Sequence, residues 1–117
     1  MENYIRDFYD KTKITIVVIT CQNTIPLIPS QYVFWLFNEW AIGGKDNKGV
    51  VILLAMEERR IESEVGFGLE HILTDEKCGD ILDTIVVPFL KKTKYEEGLF
   101  EGVKNIIEVF KKVKNEK

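Results

Sequence analysis

Gly49–Met56 reads GVVILLAM, and after the charged turn Glu57–Arg59 the segment Arg60–Gly66 reads RIESEVG. The first run is the most apolar in the chain and suits a central strand covered on both faces. The second alternates Ile61, Ser63 and Val65 against Arg60, Glu62 and Glu64, as a half-exposed strand does. Two strands joined by so short a turn form an antiparallel hairpin. Upstream, Lys13–Thr20 (KITIVVIT) is a β-branched run, which predicts another buried strand.

Between these strands, Gln22–Ser30 contains Pro26 and Pro29 and reads as loop. Ser30 is a suitable N-cap for a helix over Gln31–Ile42. Val33, Phe34, Phe37, Trp40 and Ala41 recur there at helical spacing, with Tyr32, Trp35 and Leu36 widening the apolar face. Such an aromatic helix is expected to be mainly core, ended by Gly43 and Gly44. After the hairpin, Thr74 or Asp75 caps a helix through about Leu90, kinked or ended by Pro88. A last helix runs from about Tyr95 to Val113, with Leu99, Val103, Ile106, Ile107 and Phe110 on its apolar face. Tyr4–Tyr9 suits a short first helix.

The order is (α)βαββαα. A strand, a helix and a second strand imply a right-handed crossover and parallel pairing. The expected fold is α/β: a small mixed sheet sandwiched by helices, α/β/α, in one domain over residues 1–117. A net charge of −3, from 16 Lys and Arg against 19 Asp and Glu, argues against a surface that tracks nucleic-acid phosphates. The basic tail of Lys111, Lys112, Lys114 and Lys117 fits a solvated helix end. No run approaches the ~18 apolar residues of a membrane span. Met1–Asp10 has no apolar signal core, so the chain as given is not marked for export, although a piece of a longer protein would look the same. Cys21 and Cys78 lack metal or redox spacing. The topology puts them at opposite edges, roughly 20 Å apart by strand rise, so both are expected to be free thiols.

The hairpin has an open end. Pairing Met56 with Arg60 sets Val50 opposite Gly66, Lys48 opposite Gly68 and Asp46 opposite Glu70. Asp75 follows at the start of the next helix. Asp46, Glu70 and Asp75 would then converge, with Asn47 and Glu64 close by and Gly-rich loops offering carbonyl oxygen. Clustered oxygens without His or Cys are what a hard cation needs. Calcium suits flexible loops better than magnesium does. Asp46, Asn47, Glu70 and Asp75 are thus the candidate metal ligands. Against this, Asp75 also fits a plain helix cap, Glu70 a solvated loop residue, and the glycines ordinary turns. His71 lies beside the site, next to Glu70.

The stretch WAIGGKDNKGVVILLAMEERRIESEVGFGLEHILTD resembles the signature of the TPM domain family, the thylakoid-lumen acid-phosphatase-like proteins and their bacterial and archaeal relatives. The matching residues are Trp40, Ile42, Gly43, Gly49–Leu54, Val65, Gly66, Gly68, Leu69, Glu70, Leu73, Thr74 and Asp75. Pro88-Phe89 and Tyr95–Gly102 (YEEGLFEG) resemble the family's ending, so the likeness runs from about Thr12 to Val109. It implies an α/β/α sandwich and, from some members, calcium binding in these loops. It implies phosphatase activity from plant members and a receptor-auxiliary role from an animal relative. It also implies an extracytoplasmic or membrane-attached setting, from most prokaryotic members. The family often reads D-N-G before the strand, whereas here Asp46-Asn47-Lys48-Gly49 inserts an ammonium, which opposes a cation unless it points away.

Three functions are therefore expected to compete. One is a non-enzymatic module that binds a divalent cation, a protein partner or both at Gly43–Asn47 and Gly66–Asp75. The second is a metal-assisted phosphomonoesterase, which needs a nucleophile or activated water and positive charge around the phosphoryl group. No P-loop, Cys-x5-Arg or D-x-D-x-T pattern occurs, and Arg59 and Arg60 belong to the closed end. The third is a protein-interaction domain that uses the helix surface around Tyr32 and Trp35, provided that surface is exposed.

Overall fold

The computed structural model describes residues 1–115, and Lys117 of the basic tail lies outside them. The elements are α1 (Glu2–Thr12), β1 (Thr15–Cys21), α2 (Pro29–Glu39), β2 (Gly49–Ala55), β3 (Arg60–Val65), α3 (Asp75–Ile81), α4 (Val87–Lys91) and α5 (Tyr95–Asn115). The sheet order is β1-β2-β3, with β1 parallel and β3 antiparallel to β2. Every residue of β2 is buried, because helices cover both faces. Ile16, Val50, Ile52, Leu54 and Val65 face α1, α3 and α5, whereas Val51 and Leu53 face Val33 and Ile42 on the α2 side. The fold is the α/β/α sandwich read from the sequence. Full burial of one such aliphatic side chain is worth about 1.5–3 kcal/mol, so β2 is the strand least able to tolerate truncation.

The helices depart from the sequence reading in instructive ways. α2 starts at Pro29, not Gln31, and its N-cap is Ile28 rather than Ser30. Proline at the first helical position wins because its missing N–H has no intrahelical role there. The Ile28 N–H instead donates to Oε1 of Gln31 at 3.3 Å. The helix stops at Glu39, three residues early, where the chain turns through Ala41 and Gly43 with φ of 46° and 93°. Phe34, Trp35 and Trp40 are exposed, so the aromatic helix is not chiefly core. A three-strand sheet is too narrow to cover so wide an apolar face, and Val33 and Leu36 fill the contact.

From Asp75 to Lys91 the chain is helical throughout, with one wide π-type turn at Leu82–Val86 just before Pro88. There the Val87 N–H donates to Leu82 O, five residues back, just before Pro88, which has no N–H to donate. The Thr74 side chain accepts from the Lys77 N–H at 3.1 Å and caps α3. On α5, Gly98 and Gly102 let the helix lie close to Phe89 and Val86, where a Cβ would come within 2.7 and 2.5 Å of them. Cys21 and Cys78 are free thiols, as their placement at opposite edges requires.

The hairpin register differs by one residue from the expected one. Ala55 pairs with Arg60 and Val50 with Val65. The turn has four residues, Met56–Arg59, closed by the Arg59 N–H donating to Met56 O, with Arg59 at φ 54°. Met56 falls in the turn, and its N–H donates to Cys21 O, continuing the ladder between β1 and β2. A single-residue slip moves every later partner.

Candidate functional site

At the open end the two loops meet backbone to backbone. Gly66 N–H donates to Gly49 O at 2.9 Å and Gly68 N–H to Asn47 O at 3.0 Å. A Cβ on Gly66 would stand 2.2 Å from Asn47 O, and one on Gly68 would stand 2.2 Å from Asp46 O. Only glycine permits that approach. Asn47 turns the chain through φ 53°, and its N–H donates to Gly44 O. The corrected register sets Asn47, not Lys48, beside Gly68, so Asp46 does not face Glu70 as expected. Asp46 and Asn47 instead reach the partner loop through their carbonyl groups.

The carboxylates group differently from the expected set. Asp75 opens α3, and its Oδ1 accepts from the Val65 N–H at 2.9 Å. Asp75 is therefore more than the first residue of a helix, because it ties that helix to the end of β3. Glu64 is half-buried, and burial pushes its carboxyl up to about 7, with the charges of Asp75 and Glu70 adding to the effect. Glu64, Glu70 and Asp75 thus form one electrostatic neighbourhood. Among the described residues, no three His, Cys, Asp or Glu side chains are placed to hold one metal ion.

Beneath Asp75, the buried Cys78 thiol sits by the Ser63 hydroxyl, and burial pushes it to about 11. It is inert packing, not a nucleophile. His71 is exposed. Arg59 and Arg60 occupy the closed end, a strand length away from Gly66.

The residue that sequence reasoning missed is Phe67, 80% exposed in the loop that the glycines clasp. Its signal was an aromatic set between two glycines in VGFGLE. Trp40, 60% exposed, caps the end of α2 on the neighbouring loop.

The profile of the TPM domain matches residues 1–109. The chain belongs to the TPM domain family. This TPM domain is similar to the solution NMR structure of the N-terminal domain of a protein from P. gingivalis, with 26% identity and a TM-score of 0.85 over 93% of this chain and 70% of that one. It also shares the fold of the BA42 protein from the psychrophilic bacterium Bizionia argentinensis. That match has 20% identity and a TM-score of 0.77 over 94% of this chain and 75% of that one. No curated protein matches the chain. Among the described residues, no helix of this TPM domain is long and apolar enough to cross a membrane.

Proposed function

We propose that this TPM domain is a recognition module that binds a protein partner through the open end of its hairpin, with Trp40 and Phe67 as apolar anchors. The observation that carries the reading is the exposure of two large aromatic rings on loops locked together by the Gly66–Asn47 and Gly68–Asp46 contacts. Large aromatics held on rigid backbone lose little entropy on docking and dominate interface energetics. Phe34 and Trp35 are also exposed, on α2. Hydrolysis is less well supported. The cations of the loop are Lys45 and Lys48, Arg59 and Arg60 sit at the other end, and the hydroxyl that does donate to a carboxylate, Thr24 to Glu58, is buried away from the open end.

One observation favours a second reading, a divalent cation such as calcium at Glu70 and Asp75. Burial holds up the Glu64 carboxyl and the charges of Asp75 and Glu70 add to it, and that added repulsion is what a bound cation would relieve. Asp46 and Asn47 would contribute carbonyl oxygen rather than their side chains.

Two experiments test these readings. Partners that co-purify with the wild type are compared by quantitative mass spectrometry with those of a Trp40→Ala/Phe67→Ala variant. Selective loss of a partner supports docking, and an unchanged set overturns it. Calcium titration followed by amide NMR tests the cation. Shifts confined to 43–47 and 64–75 support it, and none at millimolar calcium removes it. A generic phosphomonoester assay with Asp75→Ala as control would reveal hydrolysis if activity falls with the variant.

A further inference from the structure

β3 is the outermost strand, so among the described residues one side of its backbone has no strand partner. The register shows which groups face out. Gly66 N–H bonds toward β2, so Arg60, Glu62 and Glu64 do too, while Ile61, Ser63 and Val65 turn their N–H and C=O outward. At Val65 the outward N–H already donates to Asp75 Oδ1. That oxygen sits where the carbonyl of an added strand would sit, so the edge is demonstrably able to seat an acceptor. Beyond Asp75, the edge at Ile61 and Ser63 opens onto a groove.

The groove has a volume of about 1070 Å³ and runs between β3 and the helical stretch α3–α4. Leu54, Ile61, Leu82 and Leu90 supply its apolar lining. Gly79 of α3 also lines it, with nothing within 4 Å of the place its side chain would occupy. β3 runs from the closed end to the open end, and α3–α4 runs back. The two ends of the groove therefore differ in charge: Asp75 and Glu76 stand at one, and Arg59, Arg60 and Lys91 at the other, with Arg60 paired to Glu62 at 2.8 Å and Asp83 between the ends.

We propose that this groove binds an extended segment of a partner polypeptide as a fourth strand along Ile61 and Ser63. The segment places apolar side chains at alternate positions on the groove floor. It sets basic residues at the Asp75–Glu76 end and acidic residues at the Arg59–Arg60–Lys91 end. Main-chain hydrogen bonds to an open edge give such a complex its affinity, and the alternate pockets give it specificity. The six residues of β3 span about 20 Å, the length of a peptide of similar size. A second copy of this chain fits less well. α3–α4 walls the groove on its far side, and Asp75 blocks pairing at Val65, so a single strand has access that the edge of a folded sheet lacks. A small apolar molecule would leave the backbone groups and both charged ends unused. The groove lies on the face opposite α2, so this site stands independently of the Trp40 and Phe67 anchors.

The test is an amide NMR titration with a blocked nonapeptide of alternating valine and threonine, with two lysines at one end and two glutamates at the other. Shifts at Ile61, Ser63, Gly79 and Leu82 are expected, with slowed exchange of the Ile61 and Ser63 amides. Gly79→Leu fills the groove at an open helical position and is expected to weaken binding at least tenfold without lowering the melting temperature. Lys91→Glu is expected to shift preference toward a peptide with lysines at both ends. Trp40→Ala/Phe67→Ala should leave peptide binding unchanged, which separates this site from the open end. No shift along β3 at millimolar peptide overturns the proposal, as does equal binding by Gly79→Leu. A peptide-free dimer in sedimentation that Gly79→Leu abolishes also overturns it, because the occupant is then a second copy.

Discussion

Gly68→Ala should damage this domain far more than an exposed loop substitution normally does. The added Cβ would stand 2.2 Å from Asp46 O and 3.0 Å from Asn47 O, both backbone atoms in a turn that is itself hydrogen-bonded. Relief requires the two loops to part by roughly 1 Å, since dispersion contacts settle near 3.5 Å. The Gly68 N–H to Asn47 O bond, now 3.0 Å, then stretches beyond hydrogen-bond reach. Overpacking costs about 1–3 kcal/mol and the lost bond about 1 kcal/mol, giving a total of about 2–4 kcal/mol. For a domain of this size each kcal/mol moves the melting temperature by about 4 °C, so a drop of about 8–16 °C is expected. Thermal and urea unfolding followed by circular dichroism measure it, with amide exchange at Gly68 reporting the local opening. Gly79→Ala is the control. It lies in a helix with open space around it, and it should stabilise by about 0.5–1 kcal/mol. A Gly68→Ala protein melting within about 2 °C of wild type, on the same scale, would refute the backbone clasp. So would a Gly79→Ala loss of equal size.

Asp75→Ala removes the acceptor of the Val65 N–H and a first-turn carboxylate of α3, and should cost about 1–2 kcal/mol after allowing for its solvent contact. Asp75→Asn, which keeps an acceptor oxygen, should lose less, as the urea midpoint will report. Glu64 has its folded-state carboxyl raised from an ordinary 4.5 to about 7, so the native state holds the extra proton between those values. Stability from this group is therefore full below about pH 4.5 and declines as pH rises through 7. Glu64→Gln should flatten that part of the pH profile and raise the urea midpoint at pH 8. Native Cys78, with its thiol at about 11, carries about 0.1% thiolate at pH 8 and should resist a disulfide reagent until the chain unfolds. The half-buried Cys21, whose thiol burial and Glu58 also raise, should react first.

Much of the fold was legible in local pattern. The unbroken apolar run of β2, the alternation of β3 and the β-branched β1 each dictate their own burial, and their order dictates parallel followed by antiparallel pairing. The candidate site was legible in outline. Gly66, Gly68, Glu70 and Asp75 do lie at the open end, but the Asp46–Glu70 encounter does not occur. That failure traces to the turn, which takes in Met56 and closes through Arg59 at φ 54°, so that Ala55 rather than Met56 pairs with Arg60. No local signal in the charged run Glu57–Arg60 distinguishes a three-residue turn from a four-residue one.

The aromatic helix carries the same lesson. Its spacing established that α2 is a helix with one apolar side, because periodicity is a property of the chain alone. Which rings are covered depends on the width of the sheet beneath, and three strands leave Phe34, Trp35 and Trp40 in solvent. Likewise, sequence determined that β3 is half-exposed. Only the packing of α3–α4 beside it decided that its free edge borders a groove whose ends differ in charge. Element identity follows from interactions within a few residues. Exposure, register and charge grouping follow from contacts between segments far apart in the chain, which the local pattern does not encode.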